Sequence, residues 1–171
     1  DSFWVSTAAG FDGKPFKSVT QGAADIKSIP LLEGRSDNPS TDSVDAEVAT
    51  LLAYMKQTLG EAISDVRPSD RLSESPACLV APEAGPDRRL EQILAQHGRV
   101  GATTKPVLEI NSTHALVTNL AQRFKDNADR SQIDDIVWLL HDEARIMDGE
   151  APLDAAAFAT RLTRVMSRVA G

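Results

Sequence analysis

The sequence predicts an α+β fold: a small mixed three-stranded sheet covered by helices, ending in a helical hairpin that packs against a copy of itself in a second chain. Three observations lead there. Short strand-like runs and longer runs of helical period follow one another in a β-β-α-β order, which suits a small mixed sheet with helices on it. The chain has 171 residues of which 42% are apolar, enough for a sizeable core. The last forty residues, Ser131 to Ala170, form two consecutive helices with more apolar surface than one small domain needs.

Taken in order, residues 1–35 open with an extended DSFWVSTAAGF, continue through an Asp12-Gly13 turn signal, and fit no helix. Phe3, Trp4, Phe11 and Phe16 crowd into this segment, so it should dock on a larger body, as part of something longer. Residues 36–43, within EGRSDNPSTDS, have the Gly, Pro, Ser, Asp and Asn content of an exposed linker, and residues 44–171 form the domain beyond it. Val44, Val48, Leu51, Leu52, Met55 and Leu59 then mark an amphipathic helix, capped by Asp42 or Ser43 and closed by Gly60. Strands are expected at 62–67, 76–81 and 105–111.

Between the last two strands, GPDRRLEQILAQHG predicts a helix with Pro86 at its start and a narrow stripe of Leu90, Ile93 and Leu94. That stripe suits either lying on the sheet or staying partly exposed. Asn111 or Ser112 caps the next helix, which carries Leu116, Val117, Leu120 and Phe124. Ser131 and Asp134 have capping-box spacing for the first helix of the hairpin. This helix bears Ile133, Ile136, Val137, Leu140, Ala144 and Met147 on one stripe, with Trp138, Leu139 and Ile146 on its flank. The last helix repeats the pattern with Phe158, Leu162, Val165, Met166 and Val169, and places Arg161, Arg164 and Arg168 on its other face.

Composition removes several functions. A net charge of −7 with scattered Lys and Arg disfavours a nucleic-acid partner. No apolar run approaches the roughly 18 residues of a membrane span. The single cysteine, Cys78, excludes an internal disulfide framework and points to a cytoplasmic home. Its strand position, with no cation nearby, argues for packing rather than reactivity. His141, Asp142 and Glu143 match part of a zinc-deaminase signature, but the paired cysteines are missing, and residues i and i+2 of a helix point apart. A solvated or interface-rim group is the expectation there. His97 and His114 do not resemble metal ligands, and no phosphate-binding glycine loop occurs. Catalytic and metal residues are therefore expected to be absent.

The residues themselves resemble a known family. DVRPSDRLSESPACLVAPE (65–83), KPVLEINSTHALV (105–117) and LLHDEARIMDGEAPLDAAAFATRL (139–162) are similar to the carboxy-terminal domain of the bacterial heat-shock protein 90 chaperones. FWVSTAAGFDGKPFKSVTQG (3–22) resembles the end of their middle domain. The resemblance implies a constitutive homodimer in which the last two helices of each protomer form a four-helix bundle. It places the interface on Ile136, Leu139, Leu140, Glu143, Ala144, Met147, Phe158, Arg161, Leu162, Val165 and Met166. It also implies an ATP-driven clamp whose ATP and magnesium bind in an amino-terminal domain, leaving no cofactor in these residues.

Non-native client proteins are the other implied partner, contacting Leu90, Ile93 and Leu94 together with Phe3 and Trp4. The chain departs from the family pattern here, with Leu and Ile where Met and Phe are common and Pro86 at the first apolar position. The function expected is dimerisation and client contact in an ATP-dependent chaperone. The alternative is a dimeric scaffold or adaptor without chaperone activity, which would not bind clients.

Overall fold

A computed structural model describes residues 8, 10–15, 46–82, 88, 104–127 and 129–170. The Asp12-Gly13 signal forms a two-residue hairpin between β1 (Gly10–Phe11) and β2 (Lys14–Pro15). Both turn residues have positive φ, +50° and +73°, the pattern of a type I′ turn that matches strand twist. The predicted linker and the helix expected over 85–98 lie outside the described residues, except Arg88, which is helical.

Helix α1 (Ala46–Leu59) follows the sequence periodicity closely. Val48, Leu51, Leu52, Met55 and Leu59 are all buried, and Gly60 leaves the helix with φ +49° into a short 3₁₀ turn, Gly60–Ala62. Each such buried aliphatic side chain contributes about 1.5–3 kcal/mol relative to exposure. Strands β3 (Asp65–Pro68), β4 (Ala77–Val80) and β5 (Val107–Ile110) form one sheet in the order β3-β5-β4. β5 runs parallel to β3 and antiparallel to β4, so the sheet is mixed, as the element order suggested. All four residues of β5 are buried, which a central strand covered on both faces requires.

The strand register divides the sheet into two chemically different faces. Val66, Ala77, Leu79, Leu108 and Ile110 join the main apolar cluster with α1. The opposite face aligns Arg67, Glu109 and Cys78 in one row across the three strands. Glu109 Oε1 accepts from Arg67 Nη2 at 2.8 Å, and Oε2 accepts from Arg71 Nε at 2.8 Å and Ser69 Oγ at 3.2 Å. Burial opposes the charge on Glu109, but hydrogen bonds from Arg71 and Arg67 outweigh it and hold the carboxyl below its ordinary 4.5. Arg71 Nη2 also lies 3.6 Å from Cys78 Sγ, which corrects the expectation that no cation is near this thiol. Burial nevertheless raises the Cys78 pKa, so packing remains its role.

Two helices complete the layer over α1. Helix α2 (Ala115–Lys125) buries Val117, Leu120 and Ala121 against α1, while Leu116 stays exposed. Its cap is His114, whose Nδ1 accepts from the Leu116 N–H at 3.1 Å, not Asn111 or Ser112. Asn111 is instead buried at the end of β5 and accepts from Thr113 N–H and Oγ1, closing the turn before the helix. Helix α3 (Arg130–Met147) packs on β4, α1 and α2 through Ile133, Val137, Leu140 and Ala144. Tyr54 of α1 donates to Asp134 of α3 at 2.6 Å, and the Arg130 guanidinium stacks 3.9 Å over the Phe124 ring of α2.

Removing the Glu109 charge should leave Arg67 and Arg71 without their shared partner. Glu109→Gln is expected to lower the unfolding free energy by about 2–3 kcal/mol, below the loss for a fully enclosed pair because both arginines reach solvent. Chemical denaturation at neutral pH measures this, and an unchanged midpoint would show that the row contributes nothing to the sheet.

Candidate functional site

The last two helices, α3 and α4 (Ala155–Ala170), form a hairpin built by distinct local signals. Asp129 caps α3 by accepting from the Ser131 N–H at 3.0 Å, so the Ser131–Asp134 pair is not the cap. Ser131 lies one residue inside the helix, and Asp134 serves Tyr54 instead. At the other end Gly149 has φ +83°, Gly149 N–H donates to Ile146 O and Glu150 N–H donates to Arg145 O. That is a Schellman ending, in which the left-handed glycine satisfies two helix-end carbonyls. Asp154 starts α4 by accepting from the N–H groups of Ala156 and Ala157.

The turn between the helices is held by charge. Arg88 is buried and donates to Asp148 Oδ2 at 2.6 Å and Glu150 Oε1 at 2.8 Å, and Arg145 also pairs with Glu150 at 2.9 Å. Asp142 Oδ1 accepts from the Leu153 N–H at 3.2 Å, fixing the start of α4 against α3.

Helix α3 presents three sides. One carries Ile133, Val137, Leu140 and Ala144 into the apolar core. A second faces α4 with Asp135 and Trp138. Arg164 Nη1 donates to both Asp135 oxygens at 2.8 Å, and Arg161 lies 4.9 Å over the Trp138 ring. The third side, with Leu139, Glu143 and Ile146, is half-buried or exposed.

The arginines placed opposite the apolar pattern of α4 therefore reach α3. Leu162, Met166 and Val169 sit about 130° further around the helix and are exposed, Met166 at 60% and Val169 at 85%. Ile146 and Met147 at the end of α3 and Leu153 in the turn are exposed as well. No residue of α4 is buried, although Phe158 and Val165 are half-covered.

The Hsp90 protein family model matches residues 1–171. The chain belongs to the Hsp90 family. It is 51% identical over 168 residues to "Chaperone protein HtpG" of Nitrobacter winogradskyi and 51% identical over 170 residues to that of Rhizobium meliloti. It is 52% identical over 169 residues to that of Azorhizobium caulinodans. Each comparison covers 98% of this chain and 26% of the relative, so the chain spans about a quarter of the length of the curated relatives it matches.

Within this Hsp90 family chain the predicted site residues separate into three groups. Phe3, Trp4, Leu90, Ile93 and Leu94 lie outside the described residues. Ile136, Leu139, Glu143, Met147, Phe158, Arg161, Leu162, Val165 and Met166 retain partial or full exposure, and the Arg161 guanidinium lies over Trp138. Leu140 and Ala144, expected at the interface, are only 2% exposed because they lie in the chain's own core. Ile146 and Val169, which lie on the same apolar stripes, are exposed as well. No described helix is long and apolar enough to cross a membrane.

The His141-Asp142-Glu143 group is also different from expectation. His141 and Asp142 are fully buried and Glu143 is exposed, so the first two form no solvated rim. His141 Nδ1 lies 3.3 Å from Asp142 Oδ1, the ring meets Trp138 edge-on, and among the described residues neither His141 Nε2 nor Asp142 Oδ2 has a hydrogen-bond partner. Burial lowers the His141 pKa from its usual 6.5, the Asp142 carboxylate offsets part of that, and Arg145 and Arg88 add to the lowering.

A lowered histidine pKa means that the unfolded chain binds the proton more readily than the folded one. Stability is then full above pH 6.5 and falls as pH drops from 6.5 toward the lowered native value. Denaturation curves between about pH 7.5 and 5 should show this loss, and His141→Phe should flatten that part of the profile. Equal slopes in the two proteins would remove His141 as the cause.

Proposed function

We propose that these residues are the dimerisation and client-contact module of a molecular chaperone that assists the folding of other proteins. They correspond, by the family resemblance, to the carboxy-terminal domain together with the end of the middle domain. The observation that carries the reading is the orientation of α4. Its arginines hold it to α3, while Leu162, Met166 and Val169 remain uncovered in the protomer. Membership of the Hsp90 family and similarity to proteins named as chaperones support the chaperone assignment.

A second copy of the same chain is the occupant proposed for this stripe. Two hairpins related by a two-fold axis present the same surface to each other and build a four-helix bundle. The contact draws on Phe158, Leu162, Val165 and Met166 of α4 and on Ile136, Leu139, Glu143 and Met147 of α3. Ile146 and Val169 extend it. A stable interface of this kind buries on the order of 2,000 Å² in total. Client contact is assigned by the resemblance to Leu90, Ile93, Leu94, Phe3 and Trp4. ATP and magnesium are assigned by the same resemblance to an amino-terminal region outside these residues, and the setting to the cytoplasm.

Sedimentation of the 171-residue chain at low micromolar concentration should give twice the 18.4 kDa protomer mass. Met166→Glu should give folded monomers, because the new charge is solvated in the free protomer and buried unpaired only on association. Leu140→Glu should instead unfold the protomer, since Leu140 belongs to its core. Leu90→Asp with Ile93→Asp should reduce binding of an unfolded model client while leaving the dimer intact. Wild-type protein that sediments at the protomer mass would overturn the dimer assignment, and unaltered client binding would overturn the client patch.

A further inference from the structure

We propose that Asp135 is the positioning residue for association, setting the rotation of α4 about its own axis so that Leu162, Met166 and Val169 face away from α3. The inference rests on the dimer reading above. Helix α4 buries none of its residues fully and half-covers only Ala157, Phe158, Arg161 and Val165, so close packing constrains only weakly which of its sides meets α3. The obvious competitor is a rotated helix that lays Leu162, Met166 and Val169 on α3. Hydrophobic burial alone would favour that arrangement, and it would hide the surface that a second protomer needs.

Asp135 opposes the rotation. Its side chain is 7% exposed and sits on the side of α3 that meets α4. Both carboxylate oxygens accept from Arg164 Nη1 at 2.8 Å, and Arg168 Nη1 lies 3.9 Å from Oδ2. Arg161, one turn earlier on the same side, covers Trp138 at 4.9 Å. Arg161, Arg164 and Arg168 thus share one helical side, and one carboxylate with one indole on α3 selects it. Rotating the stripe inward would strip the buried Asp135 of its partners and surround it with apolar side chains, which is a strongly disfavoured state. Arg164 is 47% exposed, so the arginine could return to water easily. The carboxylate, therefore, is the partner that cannot tolerate separation.

The test compares Asp135→Asn and Asp135→Glu in the 171-residue chain. Dimer dissociation is followed by sedimentation over a dilution series, helix content by circular dichroism and α4 orientation by Trp138 emission in a Trp4→Phe background. Asp135→Asn is expected to keep its helix content, raise the dimer Kd tenfold or more and shift the Trp138 emission as Arg161 leaves the ring. Asp135→Glu, which restores the charge, should return the Kd to within threefold of wild type.

Dimerisation of Asp135→Asn within twofold of wild type would overturn the positioning role while leaving the dimer reading intact. So would equal weakening in the two variants, or loss of the fold in Asp135→Asn, since each makes Asp135 a merely structural group. A monomeric wild type would overturn the dimer reading and this inference with it.

Discussion

Helix α3 carries functional groups around most of its circumference, and every other part of the domain answers to the need to cover them. Ile133, Val137, Leu140 and Ala144 need an apolar neighbour, which the sheet and α1 supply. Asp135, His141 and Asp142 lose their solvent and need polar or aromatic partners, which α4, the turn before it and Trp138 supply in part. Leu139 and Ile146 are left with no full cover. A helix used on three sides cannot be satisfied by one neighbour, so its surroundings are assembled from a sheet, a second helix and a charged turn.

The charged contacts share a logic that hydrophobic burial does not provide. Apolar contact rewards area and is almost indifferent to direction, whereas a carboxylate with two oxygens accepts partners only in certain places. Glu109 pins Arg67 and Arg71 along the outer row of the sheet, and Arg88 pins Asp148 and Glu150 at the helical turn. Asp135 pins Arg164. None of these is a large source of net stability once desolvation is subtracted, but each makes a misaligned neighbour expensive. The domain's apolar core accounts for its cohesion, and its buried ions account for which surfaces remain outside.

The strands, α1 and the Asp12-Gly13 hairpin turn were legible because local periodicity and turn chemistry agree with the tertiary environment there. Helix caps were less so. Asn111 and Ser112 have the chemistry of a cap, yet Asn111 is drawn into the end of the sheet and His114 takes the position. Ser131 yields to Asp129 in the same way, because capping depends on the backbone leaving the helix, and several nearby side chains could accept the same N–H. Cys78 lies seven residues from Arg71 in sequence, and only the turn before β4 brings them within 3.6 Å. The burial of His141 and Asp142 was hidden because charged and titratable residues read as exposed until a neighbour is known.

Sequence alone determined the element order, the mixed sheet, the apolar excess of the last two helices and, through its motifs, the Hsp90 resemblance. These are properties of residue type and spacing, which local backbone geometry converts directly into structure. Only the tertiary structure decided how that excess is divided. It assigned Leu140 and Ala144 to the chain's own core and left Met166 and Val169 outside. It also turned the arginines of α4 inward to Asp135 and Trp138. A helical pattern specifies which residues share a side, but which side meets a neighbour is set by partners distant in the chain. For α4 the partners that its arginines meet are Asp135 and Trp138.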